Sequence, residues 1–207
     1  MADQLTAQEL AAEAKNLVVD IAAKQKETAA EHAKAFDEFK KANDAPNVLL
    51  DANVLYSAPL RDALLELAVT DLFKAKWTTD IHCEWINALL RNEPHLDRSK
   101  LERARDIMDQ NVQDCLIEGY ESLIPSLELP DADDRHVLAA AIVGHCDVII
   151  TQNLKDFPAT ALTPFGIEAQ HPDEFFCNQL SLAPGLVCAA LRKVRARLKN
   201  PPKTIEE

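Results

Sequence analysis

Acidic residues occur at three places in this 207-residue sequence where a fold could bring them together. Asp51 directly follows an apolar run, the Asp133-Asp134 pair opens a predicted helix, and Glu84 lies among apolar residues at near-helical spacing. Crowded carboxylates repel one another and raise each other's pKa, and a divalent cation is the usual way to keep them ionised. Because oxygen ligands favour Mg²⁺ or Mn²⁺, these acids indicate a metal centre if they converge.

Each acid has a plainer interpretation when it is taken alone. An aspartate after a strand commonly caps the following turn, and an aspartate at a helix start commonly caps that helix. A glutamate beside an apolar face is more often at a solvated edge. The metal hypothesis therefore depends on the three positions meeting in one crevice.

The elements that must position the acids alternate between strand and helix. Apolar runs at 48–50 and 148–150 are typical of buried strands, and a polar Thr-Gln-Asn segment follows the second run as Asp51 follows the first. This alternation predicts an α/β fold with a mainly parallel central sheet covered on both faces. Ligands in such folds bind beyond the carboxyl ends of the strands, where Asp51 lies.

Three local features give further expectations. The stretch from about Leu60 to Lys74 is amphipathic and predicts a helix, and Cys115–Ile117 is short and apolar enough for a strand. The helix that begins after the acidic pair is expected to end at Gly144, which suits the left-handed position after a helix.

Residues 1–45 differ in composition from the rest of the chain. They contain 13 alanines and no glycine, and Pro46 follows them, which predicts a helical N-terminal extension that stops there. The domain that carries the acids is expected to span residues 46–207 and to end in a basic helix.

The amino-acid composition limits the classes of protein to which this chain can belong. The net charge is −12, the wrong sign for a surface that grips nucleic acid throughout, so a nucleic-acid site must be local or metal-assisted. The five cysteines show no paired spacing, and the sequence has neither an apolar leader at residue 1 nor a long apolar run. We expect a cytoplasmic protein that does not enter a membrane.

Local positive charge is concentrated near the C-terminus. Four cations lie within six residues and could form a rim that admits a polyanion, although a solvated charge run at a helix end is an equal alternative. Arg61 is the cation closest in sequence to the Asp51 turn. The candidate RNA-binding residues are Arg61, Arg192, Lys193, Arg195 and Arg197.

Four segments occur in the order and spacing of the motifs of PIN-domain nucleases, which they resemble. The sequence over about residues 47–202 is similar in particular to the VapC-like ribonucleases, which are toxins of bacterial toxin-antitoxin pairs. The resemblance implies a PIN-like three-layer α/β sandwich. Its motifs are VLLDANVL at 48–55, WT at 77–78 with Glu84 downstream, DDRHVLAAA at 133–141 and VIITQNLKDFP at 148–158.

The resemblance also assigns roles to individual residues. The first acid of the family falls on Asp51, the second on Glu84 and the third on Asp134, with Asp133 as the alternative within the pair. A fourth position, often acidic in the family, is the neutral Asn153 here. The number of metal ions that the site binds, one or two, is therefore left open. Asn53 and Thr151 match polar positions that orient the carboxylates.

Three further side chains are expected to stay outside the metal site. His82 and His136 are each two residues from an acid, which on a helix directs them away from it. Asp156 is expected to cap a turn or to pair with a basic residue.

The function implied is a metal-dependent endoribonuclease that hydrolyses RNA phosphodiester bonds with Mg²⁺ or Mn²⁺. An antitoxin is the implied protein partner, and a homodimer is left open. The alternatives are a metal-dependent phosphohydrolase with another substrate and a catalytically silent PIN-like module that binds proteins.

Overall fold

The computed structural model describes residues 45–198. The extension expected for residues 1–45 lies outside the described residues except for Ala45. The strands are β1 (Asn47–Leu50), β2 (Lys74–Lys76), β3 (Val148–Ile150) and β4 (Glu168–Gln170). The helices are α1 (Ala52–Tyr56), α2 (Ala58–Ala68), α3 (Thr79–Asn92), α4 (Arg98–Asn111), α5 (Arg135–Val143), α6 (Ala159–Leu162), α7 (Pro172–Leu182) and α8 (Pro184–Arg197), with 3₁₀ turns at Glu121–Ser126, Leu154–Asp156 and Thr163–Phe165.

The four strands form one parallel sheet in the order β2-β1-β3-β4, which confirms the predicted α/β class. Successive side chains of a strand point to opposite faces of a sheet. Because Val48, Leu49 and Leu50 of β1 have no exposed surface, both faces of the sheet are covered there. Leu50 pairs with Ile150 of β3, so the residues that follow these two strands begin side by side.

Helix α5 is built to pack closely. Its residues 137–141 are buried, and three of them are alanines, whose small side chains let the helix approach its neighbours. Helix α5 reaches Gly144 as expected, but the reason for glycine there is different. Gly144 has φ of −78°, and the left-handed conformation falls on His145 with φ of 49°. A Cβ at Gly144 would collide with the Ile117 side chain and lie 3.1 Å from the Ala140 carbonyl oxygen, so a side chain there would require Ile117 to move.

Two expected elements are wrong in extent. The helix predicted to reach Lys74 ends at Ala68, because Asp71 adopts a φ of 59° that turns the chain and Lys74 opens β2. The strand predicted at 115–117 is a single parallel bridge between Trp77 and Leu116. Amphipathic periodicity marked the helix correctly but could not locate the turn that ends it.

A buried polar network holds α3 against α4. His82 is 1% exposed, its Nε2 lies 3.0 Å from Asp109 Oδ1, and its Nδ1 accepts a 3.0 Å hydrogen bond from Trp85 Nε1. Trp77 Nε1 donates to the same Asp109 oxygen at 2.8 Å. Both nitrogens of His82 are therefore occupied, which confirms the structural role expected for it. Within residues 45–198, no helix is both long and apolar enough to cross a bilayer.

Candidate metal centre

Asp51 lies where β1 ends and α1 begins, and the residue is only 4% exposed. Oδ1 accepts a 2.6 Å hydrogen bond from the backbone N–H of Ala52, as a capping aspartate does. Oδ2 accepts a 2.8 Å hydrogen bond from the hydroxyl of Thr151, at the end of the neighbouring strand. The structure thus joins the two strand ends through this carboxylate.

Asn53 completes the cradle of Asp51. Its Nδ2 donates to Asp51 Oδ2 and, at 2.8 Å, to Thr151 Oγ1, while its Oδ1 accepts from the backbone N–H of Gln152 at 2.9 Å. Thr151 has no exposed surface. Asn53 and Thr151, the supporting residues of the sequence prediction, therefore both contact Asp51 and fix the rotamer of its side chain.

The pKa of Asp51 is raised above its ordinary value. Burial is the largest cause, and the charge of Glu84 adds to it. Hydrogen bonds from Thr151 and Ala52 and the charge of His136 act in the opposite direction but do not cancel the effect of burial. The folded chain therefore holds a buried carboxylate whose ionised form is incompletely compensated.

Asp134 stands at the N-terminus of α5, yet its side chain makes no capping hydrogen bond. The plain capping interpretation of this residue is thus not what the structure shows. Burial and the charges of Asp51, Asp131, Asp156 and Glu84 raise its pKa to about 6. The adjacent Asp133 is exposed, and its backbone N–H donates to Asp131 Oδ1 at 2.9 Å. Of the acidic pair, Asp134 is the one that meets the other acids.

Two more acids join Asp134. Carboxylate oxygens of Asp131, Asp134 and Asp156 lie within 4.8 Å of one another. Asp156 is 8% exposed, and its Oδ2 accepts a hydrogen bond from Asn153 Nδ2. Asp156 was expected to cap a turn or to pair with a basic residue; among the described residues it forms no ion pair with a basic side chain, and its hydrogen-bond partner is Asn153, which precedes the same short turn. The neutral Asn153 instead holds a buried acid toward the cluster.

Glu84 lies in α3, and its side chain is 46% exposed. Its Oε1 lies 2.8 Å from His136 Nε2 in the first turn of α5. The prediction that His136 is directed away from the acids is therefore wrong. Burial disfavours the charged imidazole, but its hydrogen bond to Glu84 and the charges of Glu84, Asp80 and Asp51 outweigh burial and raise the pKa of His136.

The reason for this error is that the acid contacted by His136 lies on another helix. Helical spacing describes how His136 lies relative to Asp134, the capping residue of its own helix α5. It says nothing about Glu84 of α3, which is distant in sequence and reaches His136 through the packing of the two helices.

A cleft of about 500 Å³ opens beside these acids. Glu84, Asp133 and Asp134 lie in its wall, and Arg91 is the one basic residue among the described residues that line it. Tyr56 and Asn92 stand together in the wall, where Asn92 Nδ2 donates to the Tyr56 hydroxyl at 3.0 Å. The remaining lining residues are Ala52, Asn53, Trp85, Ala88 and Gln152.

The cations expected to bind RNA have different surroundings. The Arg61 guanidinium lies 4.6 Å from the ring centroid of Trp85 and donates to the carbonyl of Leu55, and burial lowers its pKa. Its contacts are those of a packing residue, and it does not line the cleft.

Two cations of α8 are paired with acids of α2. Lys193 Nζ donates to Glu66 Oε1 at 2.8 Å, and Arg197 donates to Asp62 Oδ1 at 2.6 Å and to Glu66 Oε2. Arg192 is exposed and Arg195 half-buried, and neither forms an ion pair within residues 45–198. The four cations of the predicted rim therefore divide into two that tie α8 to α2 and two that remain available.

The sequence pattern does not indicate Asp131 as a member of the acidic cluster, and it predicts that Asp156 and His136 lie outside the metal site. The DxxD spacing of Asp131 and Asp134 and the NxxD spacing of Asn153 and Asp156 are the signals that could have found the two acids, because each spans a single turn. No local signal identifies the contact between His136 and Glu84, since they are far apart in sequence.

Comparison with known proteins places these observations in a family. The PIN domain model matches residues 47–155, more than half of the chain, and the VapC50 C-terminal domain model matches residues 172–207. A protein described as "Putative ribonuclease VapC50" from Mycobacterium tuberculosis (strain ATCC 25618 / H37Rv) is 42% identical over 86 residues, which are 42% of this chain and 50% of that protein. The chain thus matches about half the length of this relative.

No solved structure matches the chain. The matched range 47–155 begins at β1 and includes Asp51, Glu84, Asp131 and Asp134, and it ends one residue before Asp156. The parallel sheet, the carboxylates at its edge and the two family matches agree with the motif order of the sequence. The chain belongs to the PIN domain family.

Proposed function

We propose that this chain is a metal-dependent endoribonuclease that cleaves RNA in the cleft beside Asp51, Glu84 and Asp134. The observation that carries the proposal is the uncompensated charge of Asp51 and Asp134. Both carboxyl groups have raised pKa values, and among the described residues neither pairs with a lysine or an arginine. A divalent cation would supply the missing positive charge.

The donor set fits Mg²⁺ or Mn²⁺. Asp51, Glu84 and Asp134 would hold the ion, with Asp156 and Asp131 adding carboxylate oxygens beside Asp134. All of these are oxygen donors, and no cysteine accompanies them in the described cluster. When bound, the ion would act as a Lewis acid on the scissile phosphate and activate a water molecule for attack.

The chain's own polar residues prepare this site. Thr151 and Asn53 hold Asp51 in one rotamer, so its orientation is set before any ligand arrives. Asn153 does the same for Asp156. We infer that Asp156 contributes the negative charge that the neutral Asn153 does not, which keeps both one-ion and two-ion occupancy compatible with this site.

The wall of the cleft is suited to an RNA strand. Arg91 provides a positive charge for a phosphate group in a cleft that is otherwise acidic, and Tyr56 and Asn92 offer an aromatic ring and an amide for a nucleotide. Arg192 and Arg195 are the cations of the predicted rim that retain no acidic partner among the described residues. They are the ones that we assign to binding of flanking phosphates.

The biological role proposed is that of a toxin in a toxin-antitoxin pair. Similarity to a protein named as a VapC ribonuclease supports this role, and an antitoxin that covers the cleft would be its partner. We place its activity in the cytoplasm, which agrees with the free state of the five cysteines. Homodimer formation is part of the same proposal.

The test is cleavage of a defined single-stranded RNA by the full chain, followed on a denaturing gel. Cleavage should require added Mg²⁺ or Mn²⁺, stop in EDTA, and be lost in Asp51→Asn. Glu118→Gln, which neutralises an exposed acid outside the cleft, serves as the matched control and should cleave normally. Wild-type cleavage by Asp51→Asn would overturn the site. Hydrolysis of small phosphate esters without cleavage of RNA would favour the phosphohydrolase alternative.

A further inference from the structure

His136 differs from the other buried histidine of the domain in how its nitrogens are used. His82 has a partner on each ring nitrogen, which is the pattern of a residue that stabilises the fold. His136 is 12% exposed, its Nε2 contacts Glu84, and its Nδ1 is buried with no hydrogen-bond partner among the described residues. The polar contact of His136 is thus directed to a single acid of the cleft.

The contact joins two helices that carry acids of the site. Glu84 belongs to α3, whereas His136 belongs to the first turn of α5, two residues after Asp134. The 2.8 Å separation of Nε2 and Oε1 is that of a charge-assisted hydrogen bond. It fixes the position of Glu84 relative to the helix from which Asp134 projects.

Glu84 requires such a restraint more than the other acids do. Asp51 is held by Thr151 and Asn53, and Asp156 is held by Asn153. Glu84 has a longer side chain that is 46% exposed, and among the described residues the imidazole of His136 is its hydrogen-bond partner. Without that partner the carboxylate would sample several rotamers, and ordering it would cost free energy when an ion binds.

We propose that His136 is a positioning residue, whose Nε2–H holds Glu84 Oε1 and leaves Oε2 to ligate the divalent cation. The inference rests on the proposed metal site. It does not depend on the charge of the imidazole, because Nε2 carries a hydrogen in the cation and in one neutral tautomer. His136 acts through Glu84 and is not itself a ligand.

The experiment measures the dissociation constant of Mn²⁺ for the full chain, from the electron paramagnetic resonance signal of the free ion. His136→Leu removes the donor at similar size, and we expect it to weaken Mn²⁺ binding roughly 10- to 100-fold, as the loss of an outer partner of a ligand does. His136→Gln keeps an N–H donor at the same reach and should restore binding to within about threefold of wild type. His136→Asn has the same amide at shorter reach and should not.

A double-mutant cycle of His136→Leu with Glu84→Ala distinguishes positioning of Glu84 by His136 from a general loss of structure. If His136 acts through Glu84, His136→Leu should weaken Mn²⁺ binding no further once Glu84 is alanine. Thermal unfolding of each variant identifies any that fails to fold, and if His136→Leu fails, the comparison of His136→Gln with His136→Asn decides.

Four results would overturn the inference, and they differ in what else they affect. Wild-type affinity in folded His136→Leu, or equal affinity of the Gln and Asn variants, refutes the role of His136 while the metal site stands. An undiminished loss in the Glu84→Ala background shows that His136 acts by another route. Failure of the wild-type chain to bind Mn²⁺ refutes the proposed function itself, and the inference falls with it.

Discussion

Two buried carboxylates of this domain have opposite surroundings. Glu66 of α2 is 8% exposed and meets Lys193 and Arg197 of α8, whose hydrogen bonds and charges outweigh burial and lower its pKa. Asp51 is buried to a similar degree, but its partners are neutral donors, and its pKa is raised. The same fold thus supplies cationic partners to Glu66 and supplies none to Asp51.

This difference in partners distinguishes a buried charge that stabilises the fold from a buried charge that is part of a functional site. A buried ion pair that is complete within the chain ties elements together, as Glu66 ties α2 to α8. Buried acids that crowd one another without a cation leave the free protein less stable, and such an arrangement is understandable if a ligand completes it. Burial alone does not distinguish the two cases. The identity of the partners does.

The largest effect that we expect is on RNA cleavage, and it distinguishes the neighbouring acids Asp133 and Asp134. Asp134→Asn should reduce RNA cleavage by more than about 100-fold, a larger loss than that of an outer-shell partner, because it removes a proposed ligand. Asp133→Asn, one residue away and exposed, is the matched control and should lose less than about tenfold under the same metal concentration. Initial rates on one labelled RNA give both values. The reverse ranking would show that the helix presents the other acid of the pair.

The paired region should respond in stability and not in metal binding. Replacing Lys193 and Arg197 together by methionine keeps their stems but leaves Glu66 buried and unpaired. We expect a loss of about 2 kcal/mol in the free energy of unfolding, below the cost for a fully buried pair because both cations are half exposed. Urea denaturation at neutral pH measures it. Arg192→Met with Arg195→Met is the control, and equal losses in the two double variants would remove the distinction.

The two regions should also respond oppositely to acid when EDTA removes metal. Asp134 has a pKa of about 6 in the fold against an ordinary value of 3.8, so the native state binds more protons in that interval and stability falls as pH rises through it. The span corresponds to about 3 kcal/mol, which solvent screening of this half-buried group reduces to about 1 kcal/mol. Glu66 has a lowered pKa, so its contribution is lost as pH falls below its ordinary value of 4.5.

Denaturation at pH 4.5, 6 and 7.5 tests this contrast. Asp134→Asn should gain stability over wild type at pH 7.5 and lose that advantage at pH 4.5. His136 has a raised pKa and adds a loss of stability with rising pH in both proteins, so the difference between them isolates Asp134. A difference that does not change with pH would mean that Asp134 is not strained by its neighbours.

The smallest expected effect concerns RNA affinity. The Arg192→Met and Arg195→Met double variant should reduce the slope of log affinity against log salt by about 1.4, since each phosphate contact to a single strand contributes roughly 0.7. The Lys193→Met and Arg197→Met variant should leave the slope unchanged, because both cations already serve Glu66. Fluorescence anisotropy in EDTA measures binding without cleavage. The opposite assignment of slopes would show that the ion pairs open to receive RNA.

Much of the site could be predicted from the sequence, because several of its residues directly follow strands whose apolar runs are easy to recognise. The run before Asp51 and the run before Thr151 are both buried strands, and their parallel pairing brings the two residues together. The helix start indicated the Asp133-Asp134 pair, and the resemblance to the family selected Asp134 within it. The strand-end positions follow from local pattern and one topological rule.

The rest depends on contacts that no local pattern encodes. Lys193 pairs with Glu66, which is 127 positions away in the sequence. From the sequence alone, every cation of the basic run therefore looks available to bind RNA, although part of the run is engaged in ion pairs. The contact of His136 with Glu84 joins two helices that are distant in sequence, so no spacing within either helix indicates it. Gly144 was recognised for a backbone angle that it does not adopt, whereas the close approach of the Ile117 side chain is what favours glycine there.

The central claim is that the cleft acids lack positive charge until a divalent ion binds, and calorimetric titration of the full chain with Mn²⁺ tests it most directly. Titration at pH 6 in two buffers of different ionisation enthalpy gives the number of protons released per ion. Because Asp134 has a pKa of about 6, the account predicts saturable binding with release of at least about half a proton, falling at pH 8 where the carboxyl is already ionised. Absence of binding, or binding with no proton release at pH 6, would contradict it.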